Sequence, residues 1–78
     1  MKKHISEEHQ KRLDLIALYL RELRFNENLT QKELSDELDL HLNTVIRLEN
    51  GCNMTITSLF KLCDFYGLTL SEIINDQL

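Results

Sequence analysis

The stretch Leu29-Thr30-Gln31-Lys32-Glu33-Leu34-Ser35-Asp36-Glu37-Leu38-Asp39-Leu40-His41-Leu42-Asn43-Thr44-Val45-Ile46-Arg47-Leu48-Glu49-Asn50-Gly51 decides the fold. Thr30 to Glu33 form a capping box, in which the Thr hydroxyl and the Glu carboxylate satisfy free backbone N–H groups reciprocally, so a helix starts there. Leu34 and Leu38, four apart, give that helix one apolar side. Asp39-Leu40-His41 reads as a turn. A second short helix follows over about Leu42 to Asn50, and Gly51 stands where a left-handed residue most easily ends a helix.

The second helix divides cleanly about its axis. At about 100° per residue Thr44, Val45, Leu48 and Glu49 fall on one side, whereas Leu42, Asn43, Ile46, Arg47 and Asn50 fall on the other. The first set is core and the second faces outward. Two short helices joined by a tight turn make a helix-turn-helix, whose second helix enters the major groove of DNA. Asn43, Arg47 and Asn50 suit that task, because an amide pairs bidentately with adenine and a guanidinium with guanine. Leu42 and Ile46 either meet thymine methyl groups or form an apolar patch for a protein partner.

Outward from this motif the chain continues in helices. Ser6 caps helix 1, with Glu7 and Glu8 complementing its dipole, and the helix runs to about Asn26. Leu13, Ile16, Leu20 and Leu23, widened by Leu15, Ala17 and Tyr19, make a broad buried face. Arg24 lies inside that face and needs a partner. Thr55 caps helix 4, which runs to Tyr66 with Ile56, Leu59, Leu62, Cys63 and Tyr66 at helical spacing and Gly67 as its stop. A second capping box, Thr69 to Glu72, opens a short helix 5 that docks on its own domain or on a neighbour.

The chain has 78 residues, no proline and only two glycines, which argues for uninterrupted helices. The reading is an all-α, compact five-helix domain spanning residues 1–78, with residues 1–5 a flexible tail. Lys2 and Lys3 belong to that tail rather than to a groove-binding arm. The formal net charge of −4 opposes nucleic-acid binding as a bulk property. Its acidic residues cluster at Glu7, Glu8, Glu33, Asp36, Glu37 and Asp39, which leaves Lys2, Lys3, Lys32 and Arg47 available elsewhere for a local positive face.

The quoted stretch resembles the helix-turn-helix of the phage repressor and Cro family, also called the Xre family. The run Thr55 to Ile73 is similar to that family's fourth and fifth helices, so the resemblance covers roughly residues 13–74. It implies sequence-specific binding of double-stranded DNA and regulation of transcription. It places His41, Leu42, Asn43, Ile46 and Arg47 at base-reading positions, with Gln31, Lys32, Asn50 and Asn53 on backbone phosphates. It also implies an ion pair between Arg24 and Glu49. The family includes phage-type repressors, restriction-system controllers and antitoxins. Three features depart from its pattern: Asp39 stands in a turn position usually held by glycine, His41 replaces the usual Ser or Thr cap, and Leu42 and Ile46 are apolar on the base-reading face.

A module this small is expected to read a two-fold symmetric operator as a homodimer. Leu70, Ile73, Ile74 and Leu78 on helix 5 are the candidate dimer residues, with Phe60 or Phe65 beside them. Cys52 and Cys63 read as reduced thiols, and His4, His9 and His41 lack metal-ligand spacing. Neither cofactor, metal nor catalytic group is expected. The N-terminus shows no apolar signal or membrane span, which points to the cytoplasm. The alternative is a protein-interaction module with the same fold, an antitoxin included, that captures its partner on Leu42 and Ile46.

Overall fold

The computed structural model describes residues 6–75, which are all-helical. The tail at 1–5 and Leu78 lie outside the described residues. Five helices follow in order: α1 Glu7–Asn26, α2 Gln31–Leu38, α3 Leu42–Leu48, α4 Ile56–Tyr66 and α5 Leu70–Asn75. Their starts are chemical. The Ser6 hydroxyl accepts from the His9 N–H at 3.1 Å, and the Thr55 hydroxyl accepts from Ser58 N–H at 3.1 Å. Both capping boxes close, with Thr30 and Thr69 donating N–H groups to the carboxylates of Glu33 and Glu72 at 2.8 and 2.9 Å.

Their ends share one device. Asn28, Asp39, Gly51 and Gly67 all adopt left-handed φ values, between 54° and 76°. After each, the next N–H reaches back five residues: Leu29 to Arg24, Leu40 to Ser35, Cys52 to Arg47 and Leu68 to Cys63 carbonyls. This is the Schellman closure, in which an apolar residue beyond the left-handed one packs under the helix. Leu29, Leu40 and Leu68 do so against the core. In α3 regular helix ends at Leu48, and Glu49 and Asn50 belong to the closing turn rather than to the helix expected through Asn50.

Every helix contributes to one core: Ile16 and Leu20, Leu34 and Leu38, Val45 and Leu48, Leu59, Leu62 and Cys63, and Ile73. Leu13 and Thr44, expected in the core, are only half-buried, and two further expected core residues are largely exposed. Leu15 is 47% exposed, because it lies about 140° around the helix from Leu20. Ile56 is 54% exposed although its helical position faces Leu59 and Cys63, since it is the first residue of α4 and lies at the open end of that face. Ile73, expected among the dimer residues, has 0% exposure and is a core residue, so it offers nothing to a second molecule. It is what docks α5 on its own chain. Cys63 is buried and Cys52 exposed, both as free thiols.

Candidate nucleic-acid interface

The site is built from the start of α2, the outer face of α3 and the loop after it. At the start of α2 the capping box satisfies the N–H groups of Thr30 and Glu33. The N–H groups of Gln31 and Lys32 remain, as the first turn of any helix leaves them, and point at a ready place for an anion. Lys32 adds charge there, though its Nζ also lies 2.7 Å from Asp36 Oδ1. Both side chains are about two-thirds exposed, so solvent screens that pair and a phosphate can compete for the lysine.

Along α3, Val45, Leu48 and Glu49 are buried while His41, Leu42, Asn43 and Arg47 are exposed and Ile46 is half-buried. His41 occupies the N-cap position with no side-chain cap bond. Among the described residues, the side chains of His41, Asn43, Arg47, Asn50 and Asn53 make no hydrogen bond or ion pair. Asn53 sits in the following loop at φ 49°. One helix face therefore presents free amide, imidazole and guanidinium groups beside two apolar side chains, with further polar donors at either flank.

Behind this face lies a buried knot. Arg24 donates from Nε to Glu49 Oε2 at 2.7 Å and from Nη2 to Oε1 at 2.9 Å, a bidentate pair. Its Nη1 reaches the Leu29 carbonyl at 2.8 Å. The hydrogen bond with Glu49 holds the Arg24 pKa above its ordinary value against the opposing effect of burial. Gln31 Nε2 donates to the same Glu49 carboxylate at 3.1 Å, and Arg21 Nη1 donates to the Glu49 carbonyl. Three helices thus meet at one carboxylate: α1 through Arg24, α2 through Gln31, and the end of α3 through Glu49 itself.

Sequence reasoning missed two parts of this arrangement. Gln31 is half tied inward, with one amide N–H spent on Glu49 and its carbonyl still available. Gln10 and Arg21 bind the turn after α3, Gln10 Nε2 reaching the Gly51 carbonyl at 3.2 Å. The signal was present in the spacing Gln10, Asp14, Ala17, Arg21, Arg24, a stripe of small and polar residues at helical period beside the apolar face. Such a stripe marks where another backbone end approaches.

Among the described residues no group of His, Cys, Asp or Glu is placed to hold a metal ion, and no helix is long and apolar enough to cross a membrane. The fold and the interface define a DNA-binding helix-turn-helix domain. A family model described as helix-turn-helix matches residues 20–73, more than half of the chain. The protein belongs to that family, the Xre/Cro type of helix-turn-helix. No curated protein and no solved structure matches it.

Proposed function

We propose that this protein is a sequence-specific regulator of transcription that binds double-stranded DNA. In this reading α3 lies in the major groove with His41, Leu42, Asn43, Ile46 and Arg47 at the base edges. Gln31, Lys32, Asn50 and Asn53 hold the phosphates on either side. The observation that carries it is the free donor set on α3: a folded chain that satisfies Glu49 and Arg24 internally leaves Asn43 and Arg47 unpaired on the surface. The active form is a homodimer on a two-fold symmetric operator, its half-sites about 34 Å apart.

Selection from a random duplex library at low salt tests this directly. Enrichment of a two-fold symmetric sequence, with affinity falling steeply as salt rises, is the expected result. Arg47→Ala should flatten the preference for one base position at a cost of about 1–3 kcal/mol on the selected site. Lys32→Ala should weaken all duplexes alike. The second reading, a protein-interaction module, draws on the exposure of Leu42 at 38% and on the net charge of −4. Its signature is the opposite: no enriched duplex, and loss of a partner on Leu42→Asp or Ile46→Asp.

A further inference from the structure

We propose that the outer face of α1 is a self-association surface, on which a second copy of this chain packs antiparallel about a two-fold axis passing between Leu15 and Leu18.

Leu15 and Leu18 are 47% and 45% exposed, and Phe25, one turn beyond Glu22, is 59% exposed. On a helix whose other face supplies Ile16, Ala17 and Leu20 to the core, Leu15 and Leu18 are left half uncovered, while the Phe25 ring carries the Arg24 guanidinium 4.6 Å from its centroid. Lys11, Leu15, Leu18, Glu22 and Phe25 follow at spacings of 4, 3, 4 and 3. That alternation is the seam along which two helices pack side by side. Lys11 and Glu22 are exposed, and neither has an ion-pair partner among the described residues.

Charge decides the direction of packing. A two-fold axis perpendicular to the helix places each position against its mirror along the seam, so Leu15 meets Leu18 of the second copy and Lys11 meets its Glu22. Each contact occurs twice. In a parallel pair Lys11 would face Lys11 and Glu22 would face Glu22, two repulsive contacts at the same positions. The four positions Lys11, Leu15, Leu18 and Glu22 are therefore self-complementary in one orientation only, with Phe25 opposite Glu8 beyond them. The competing surface, on α5, is poorer: Ile73 is wholly buried, and Leu70 and Ile74 already pack against the core.

This association does not depend on what α3 binds, and it is read without DNA. Sedimentation velocity over a range of protein concentrations should show a reversible dimer. Lys11→Glu and Glu22→Lys should each weaken it about tenfold, since one reversal spoils two symmetry-related pairs. The double variant carrying both reversals should regain dimerisation near that of the parent protein, because the pairs are restored with their signs exchanged. Leu18→Glu should leave a folded monomer, its helical circular dichroism and melting unchanged in kind because the residue lies outside the core. A parent protein monomeric at every concentration overturns the proposal. So does a dimer that ignores both single reversals, or single losses that the double variant does not recover.

Discussion

The carboxylate of Glu49 is 2% exposed as a residue and receives three side-chain donors, from two atoms of Arg24 and one of Gln31. A buried charge pair is a poor source of net stability, but breaking one is expensive because the survivor stays buried and uncompensated. Glu49→Ala should therefore cost about 3–5 kcal/mol in urea denaturation, a large share of what a small domain has. Arg24→Met with Glu49→Leu should recover most of that loss. Tyr66 presents the opposite case: its hydroxyl is buried with no hydrogen-bond partner, and burial pushes its pKa up to about 12. Below about pH 10 both folded and unfolded chains keep the phenol proton. Above it the unfolded chain releases the proton first, so stability drains away as pH rises toward the folded value. Tyr66→Phe should be neutral to slightly stabilising at neutral pH, within about 1 kcal/mol, and should lose less stability than the parent across that alkaline window in thermal melts.

At the scale of helices the shared Schellman ending separates four positions by side chain. Gly51 and Gly67 take the left-handed conformation freely, whereas Asn28 and Asp39 carry a Cβ through it. Asp39→Gly should raise stability by about 1 kcal/mol. Alanine at the two glycines should differ: at Gly67 nothing lies within 4 Å of a new Cβ, while at Gly51 it would meet Asp14 Oδ1 at 2.7 Å and Gln10 Nε2 at 3.0 Å. Gly51→Ala should thus cost more than Gly67→Ala in the same melts, because it also displaces the bond from Gln10 to the Gly51 carbonyl. The endings at Asp39, Gly51 and Gly67 were legible in the sequence because turn-forming residues follow apolar periodic runs there. Asn28 was not, since Asn26, Glu27 and Asn28 are all polar and none stands out as the stop.

For the molecule as a whole, the pattern of apolar residues was enough to order five helices and to identify the helix-turn-helix. Periodicity failed where it could not say what covers a face, at Leu15 and at Ile56, and where a residue had two apolar neighbours to choose from, at Ile73. The inner half of the interface was partly hidden too. Gln31 looks like a free phosphate ligand in sequence, and only packing brings it to a carboxylate 18 positions later. The negative charge also finds a place: Glu37, Asp39 and Asp64 line an open depression between α2 and α4 with Lys61, apart from the residues offered to DNA. Finally, the two thiols are unequal. Cys63 is buried, and burial pushes its pKa up, while Cys52 is exposed between Asn50 and Asn53. A maleimide dye applied briefly to the folded protein will couple at one atom without any engineered handle. It will sit on the very loop assigned to the phosphates, so its fluorescence becomes a built-in gauge of docking.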